Sequence, residues 1–210
     1  TEFDLAADLG VSRQTVRQAI QRLRQQGLLS ARKGVGTRVE SRKSTSSYQF
    51  SLQSLTEIFQ YASETVFEVR EEEDVAVRGK LATELGCRPG RVFHRLGGFR
   101  RVIGEGNPIG WVDVWVDGRY ASIVKGVRVH RSAVFSLIER HSGENVVEVT
   151  QTIHAVPLTK SLAKRLDAIP GEAALQVTRR YFSTGRRIVE VAISTFPGGR
   201  FGYSMSLNRR

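Results

Sequence analysis

Apolar residues near the start of the chain recur at helical spacing. Val16, Ala19, Ile20 and Leu23 stand at i, i+3, i+4 and i+7 and predict an amphipathic helix from Ser12 to Gly27. Ser12 is the candidate N-cap, because its hydroxyl can accept from an orphan N–H of the first turn. Gly27 can take the left-handed conformation that ends a helix. Upstream, Leu5, Ala6 and Leu9 share one face of a shorter helix, Glu2 to Leu9, with Thr1 as cap and Gly10-Val11 as the connecting turn. Downstream, Leu28 to Arg32 and Thr37 to Glu40 predict two strands joined by Lys33-Gly34-Val35-Gly36. A short helix, a glycine turn, a second helix and a hairpin make a winged helix-turn-helix.

The pattern changes after the polar run Ser41 to Ser47. We divide the chain into a DNA-binding domain at 1–43, a linker at 44–48 and a second domain at 49–210. In the second domain Leu52, Leu55, Ile58 and Phe59 predict a helix over 51–61, followed by a strand at Val66 to Arg70 and a helix over Val75 to Leu85. Strands are expected at Arg91 to Ile103, Ile109 to Val116 and Val146 to Val156, and helices at Ser132 to His141, capped by Ser132, and Thr159 to Leu166. Ala173 to Phe182, Ile188 to Phe196 and Phe201 to Leu207 read as a three-stranded meander. Strands interspersed with helices predict an α+β domain with an antiparallel sheet.

An internal repeat crosses this domain. Leu81, Leu85 and Pro89-Gly90 recur as Leu162, Leu166 and Pro170-Gly171, an offset of 81 residues in every member. If the repeat is structural, a pseudo-twofold axis passes through the sheet.

Charge separates the two regions. The chain of 210 residues carries a net charge of +11, and residues 1–43 contribute +5 of it. From Arg13 to Lys43 there are nine Lys or Arg and one acid, Glu40. Such a run is the footprint of a phosphate-tracking surface. The predicted second helix carries Arg13, Arg17, Arg22 and Arg24 and no carboxylate, whereas a solvated helix normally mixes signs. The lone Cys87 allows no disulfide framework, so a reducing cytoplasm is expected. No apolar run reaches the ~18–20 residues of a membrane span, and no membrane partner is expected. His94, His130, His141 and His154 show no ligand spacing, and neither a metal nor a cofactor is expected.

In the second domain Trp111, Asp113 and Trp115 alternate on one face of a predicted strand, where two indoles and a carboxylate can form a pocket wall. Arg100 and Glu190 are further candidates, since a buried charge needs a partner or a ligand. Gly97-Gly98 in mid-strand marks a bulge or a close approach.

Residues 1–40 resemble the GntR-type winged helix-turn-helix through Leu9-Gly10-Val11-Ser12-Arg13, Thr15-Val16-Arg17, Gly27-Leu28-Leu29 and Lys33-Gly34-Val35-Gly36-Thr37. The resemblance implies DNA contacts from Arg13, Gln14, Thr15 and Arg17 at the start of the second helix, and from Lys33 and Gly34 on the wing. It also implies a further helix ahead of Thr1, so that the domain as given lacks its first helix. The later region resembles the UTRA effector-binding domain of the HutC-like branch, whose fold is shared with chorismate lyase. The residues that carry this are Leu81 to Gly90, Gly106 to Trp115, Gln151-Thr152-Ile153, Pro170-Gly171, Arg179-Arg180 and Arg200 to Leu207.

In UTRA domains that take sugar phosphates, two strand arginines, a strand glutamate and a serine hold the ligand. Matched without gaps, those positions are Arg100, Val102, Val112 and Ala133 here, with Phe135 where a tyrosine often follows. The resemblance therefore implies a small carboxylate or aromatic effector rather than a sugar phosphate. The expected effector site is Arg100, Trp111, Asp113, Trp115, Phe135 and Glu190. The expected function is a homodimeric transcriptional repressor that leaves a palindromic operator in double-stranded DNA when the metabolite binds, and not an enzyme. Its rivals are a chorismate-lyase-type enzyme and an architectural DNA-binding protein whose second domain only dimerises.

Overall fold

The computed structural model describes residues 1–25, 29–32, 36–39, 48–51 and 61–204. The chain falls into two units, Thr1–Ser51 with the stretch from Gly202 onward, and Leu52–Phe201.

In the first unit, α1 (Glu2–Leu9) opens on a capping box in which Thr1 and Asp4 satisfy each other's backbone donors. Gly10, at φ 63°, closes it in the left-handed conformation. Helix α2 (Arg13–Gln25) starts where the Thr15 N–H donates to Ser12 Oγ at 3.1 Å. Strands β1 (Leu29–Arg32) and β2 (Gly36–Val39) pair antiparallel, with Arg32 opposite Gly36. Gly27, Lys33, Gly34, the linker residues 44–47 and most of the helix expected at 51–61 lie outside the described residues; 61–64 is helical and Ser51 ends β3 (Tyr48–Ser51).

The second unit is organised by β4 (Thr65–Ala76), β5 (Val92–Val102), β6 (Pro108–Asp117), β7 (Val129–His130), β8 (Val146–Pro157), β9 (Ala173–Ser183) and β10 (Arg187–Pro197). They form one antiparallel sheet in the order β7-β4-β5-β6-β10-β9-β8. Besides the helical residues 61–64, the unit carries α3 (Gly79–Leu85), α4 (Ala121–Val124), α5 (Val134–Ser142) and α6 (Lys160–Leu166).

The repeat read in the sequence is structural. β4-α3-β5-β6 is followed by β8-α6-β9-β10, and β6 and β10 meet at the centre. The Val77 N–H donates to Arg91 O at 3.0 Å and the Gly90 N–H to Val77 O at 2.7 Å; 81 residues later Leu158 and Gly171 make the same pair of bonds, each 2.8 Å. Gly90 and Gly171, at φ 87° and 83°, turn both Pro-Gly corners, and Ala82 and Leu85 are buried like Ala163 and Leu166.

Alternation sends successive side chains of each strand to opposite faces. On one face Phe67, Val69, Leu96, Val112, Val114 and Val116 pack beneath α4 and α5. On the other, Phe93, Trp115, Val191 and Ile193 pack against α3, and Trp111 and Ala174 against α6. Gly98 permits β4 to bulge between Val69 and Glu71, since a Cβ there would lie 2.0 Å from Glu68 O.

Three sequence expectations change, and two short elements are new. The helix expected from Val75 begins only at Gly79, because Val75 and Ala76 continue β4 opposite Phe93 and Val92. Ser132 does not cap α5, whose N-cap is Ala133 with no side-chain cap bond. The last three strands are not a meander. β10 already has β6 and β9 on its two sides, so β11 (Phe201–Ser204) has no edge there and pairs with β3 instead. The short elements α4 and β7 carry too few residues to show a period and were not expected.

Candidate functional sites

The first unit presents the amino end of α2 to solvent. Arg13, Gln14, Thr15 and Arg17 are all exposed, while Val16 between them is 4% exposed and anchors the helix. Glu2 on α1 accepts from Arg13 Nε at 3.3 Å and from Arg17 Nη2 at 3.1 Å. Hydrogen bonds from Arg17, with its charge and that of Arg13, hold the Glu2 carboxyl below its ordinary range. One carboxylate thus gathers two guanidiniums at the helix start, where base edges and phosphates are reached. Arg38 on β2 is exposed beside the wing. Phe3 on α1 is 72% exposed.

In the second unit the six residues expected to form one pocket lie on both faces of the sheet. Arg100, Phe135 and Glu190 lie on the α5 side. Trp111, Asp113 and Trp115 lie on the other, because the inward phase of β6 belongs to Val112, Val114 and Val116. Each of the three is occupied where it stands. Asp113 accepts from Arg95 Nη2 at 2.6 Å and Nε at 2.9 Å. Trp111 lies under the Arg165 guanidinium at 4.5 Å and edge-on to Phe99, and Trp115 packs in the α3 core. The expected pocket wall of Trp111, Asp113 and Trp115 is therefore core and ion pair. An open cleft of about 870 Å³ beside the outer part of β4 is likewise met by its own charges, with His94 bonded to Asp74 at 2.7 Å and Glu72 at 3.0 Å.

The α5 side differs. Arg100 is 8% exposed; its Nη1 donates to Thr65 Oγ1 at 3.3 Å, and its Nε has no hydrogen-bond partner among the described residues. Thr65 Oγ1 in turn donates to Tyr61 O at 2.7 Å. Arg179, 4% exposed on β9, donates from Nε to Gln151 Oε1 at 2.7 Å. Both guanidiniums lie against the Tyr61 ring, at 5.2 Å for Arg100 and 5.5 Å for Arg179. Tyr181, directly opposite Glu190 across the β9–β10 pair, stacks on Phe135 at 4.7 Å. Glu190 Oε2 is buried without a partner among the described residues, and Arg100 does not pair with it across adjacent strands, since β6 lies between β5 and β10.

The electrostatics follow from burial. Desolvation pushes the Glu190 carboxyl up to about 8, against the pull of the Arg100 and Arg179 charges. Desolvation, reinforced by Arg100, pushes the His130 imidazole down to about 4. Burial raises the Tyr61 and Tyr181 phenols. At neutral pH, then, two guanidiniums stand in a dry, aromatic site with a carboxyl that is largely protonated. Arg100 keeps an Nε with no hydrogen-bond partner among the described residues, and a buried guanidinium is costly without a counter-charge. The arrangement suits an anion, with Glu190 and Thr65 as polar neighbours.

Arg179 was not among the expected site residues. Its signal was present: it interrupts the inward run Leu175, Val177, Tyr181, where an apolar residue would be ordinary. Its presence removes the ground for excluding a phosphorylated ligand. The position matched to the second arginine is Val102, but a second guanidinium arrives from the other half of the repeat.

Two families match the chain. Residues 1–39 match the bacterial regulatory proteins of the gntR family, and residues 61–202 match the UTRA domain. The HTH-type transcriptional regulator Rv0792c of Mycobacterium tuberculosis is 25% identical over 218 residues, which cover 100% of this chain and 77% of the relative. The uncharacterised HTH-type regulator RB1450 of Rhizobium meliloti is 28% identical over 204 residues, covering 95% of this chain and 81% of the relative. The crystal structure of PhnF from Mycobacterium smegmatis aligns with a TM-score of 0.63 at 20% identity, covering 100% of this chain and 91% of that one. YydK from Bacillus subtilis, a possible transcriptional regulator, also aligns at 0.63, with 16% identity and 99% and 88% coverage.

Proposed function

The chain belongs to the UTRA-domain family of transcriptional regulators with a GntR-family DNA-binding domain, and on that premise we propose that a small anionic metabolite, held by Arg100 and Arg179, makes it release its operator. The carrying observation is the pair of buried guanidiniums, Arg100 and Arg179, brought from two strands against the same Tyr61 ring. The effector is a carboxylate or a phosphate ester with a flat or apolar remainder that lies on Tyr61, Tyr181 and Phe135. Thr65 and Glu190 supply hydrogen bonds to its polar rim. Charge-assisted bonds to the anion are roughly twice as strong as neutral ones, so the guanidiniums carry most of the affinity.

The regulator works in the cytoplasm as a homodimeric repressor on a palindromic site, since a twofold protein reads a twofold sequence. Arg13, Gln14, Thr15 and Arg17 read the half-site, Arg17 by a bidentate bond to a base, and Lys33 and Gly34 track the phosphates. The test is to select operator sequences from random DNA with the full chain and then compare affinities. Arg17→Ala is expected to cost about 1–3 kcal/mol on the operator and less on random DNA. An unchanged operator-to-random ratio would make Arg17 a phosphate contact. Operator release by a small anion, lost in Arg100→Met, supports the effector reading. Release that survives Arg100→Met contradicts it.

A further inference from the structure

The two borders of the seven-stranded sheet are unlike. β7 is two residues long and pairs only with Phe67 and Glu68 of β4. β8 is twelve residues long and is bonded on one side, to β9; among the described residues no strand covers its other side. It contains no lysine, and its only proline is the last residue. A long edge without such protection is a template for another strand.

The residues of β8 are symmetric in class about Gln151. Thr150 and Thr152 flank it, then Val149 and Ile153, then Glu148 and His154. Beyond Glu148 the register with β9 shifts, so the regular strand begins there. Two copies laid antiparallel about a twofold axis at Gln151 would set glutamine against glutamine and threonine against threonine. Val149 would face Ile153 of the partner subunit, and Glu148 would face His154 of the partner subunit, each contact occurring twice. Thr–Thr, β-branched and carboxylate–imidazole pairs are favourable cross-strand neighbours. A strand selected only to cover β9 has no reason to be symmetric about its middle.

We propose that β8 pairs with β8 of a second copy, antiparallel and centred on Gln151, joining the two sheets across the dimer. This rests on the homodimer reading above and adds the surface and register. It also gives the effector site a route to the interface. Gln151 Oε1 accepts from Arg179 Nε at 2.7 Å, so the residue at the axis is bonded to an arginine of the site, and an anion on Arg179 acts on that bond.

The test uses the full chain with its lone thiol removed by Cys87→Ser. Directly opposed residues of an antiparallel pair lie about 4.5–5.5 Å apart at Cα, within disulfide range. Gln151→Cys is therefore expected to give a covalent dimer under mild oxidation, and Thr150→Cys, displaced from the axis, is not. As a second measurement that leaves Gln151 intact, His154→Glu sets carboxylates against each other and should raise the dimer dissociation constant in sedimentation about tenfold. Adding Glu148→Lys should restore it. A dimer that neither cross-links through position 151 nor responds to the charge exchange overturns this surface and leaves the homodimer reading standing. A chain that sediments as a monomer overturns both.

Discussion

The two faces of the central sheet are made from alternate residues of the same strands, yet they meet their polar groups in opposite ways. On the α3 and α6 side the charges find one another. Arg95 bonds Asp113, Glu71 and Glu73, and Arg91 Nε donates to Asp117 at 2.8 Å. Although burial raises the Asp117 carboxyl, the Arg119 and Arg91 bonds outweigh it and hold the group below its usual range. On the α5 side Arg100, His130 and Glu190 are as buried as Asp117, yet each has an atom without a hydrogen-bond partner among the described residues. Burial alone therefore does not mark a site. Buried groups that keep an unpartnered atom are the better candidates for one.

Substitutions on the two faces should separate stability from ligand response. The largest effect belongs to the α3 side. Trp115→Ala empties the α3 core and is expected to cost about 3–5 kcal/mol of stability, read by denaturant titration. Its remaining folded fraction should still respond to the anion. Arg179→Met should do the reverse, weakening the anion about ten- to a hundredfold, as befits a lost charged hydrogen bond. The free chain should change little in stability, because the buried charge leaves along with its bond to Gln151. A large loss of stability on Arg179→Met would make that arginine structural.

A smaller effect concerns pH. The Glu190 carboxyl binds its proton more tightly in the folded chain, about 8 against an unfolded value of 4.5. Its contribution to stability is full below about pH 4.5 and is lost as pH rises through 8. Anion affinity should fall over the upper part of the same interval, as a second negative charge appears beside the guanidiniums. Glu190→Gln should flatten both slopes. His130 runs the other way: held neutral in the fold, it contributes stability above about 6.5 that is lost as pH falls through 4. The smallest effect is Asp113→Asn, expected within about 1 kcal/mol of stability and without change in anion affinity.

The two helices and the β1–β2 hairpin of the first unit were legible in the sequence, because helix caps and apolar stripes are local. Thr1, Gly10 and Ser12 do what their side chains and conformations suggest. The repeat was legible too, since Pro-Gly corners and helix leucines keep fixed spacing. The face that carries the buried arginines was not. Trp111, Asp113 and Trp115 share a strand face, but nothing local says which face looks toward α5, and a shift of one residue exchanges them. Arg179 was missed for a related reason. The second guanidinium was sought two residues along β5, while the fold supplies it from β9, three strands away. The fate of β11 needed the whole strand order, because the absence of a free edge at β10 is a property of the sheet and not of the segment.

The most direct measurement is the melting temperature of the full chain across a panel of small carboxylates and phosphate esters, in parallel for the unaltered protein, Arg179→Met and Asp113→Asn. The account predicts that at least one anion raises the melting temperature saturably, that Arg179→Met abolishes the rise, and that Asp113→Asn leaves it intact. Stabilisation lost in Asp113→Asn and kept in Arg179→Met would put the ligand on the opposite face of the sheet and contradict the account.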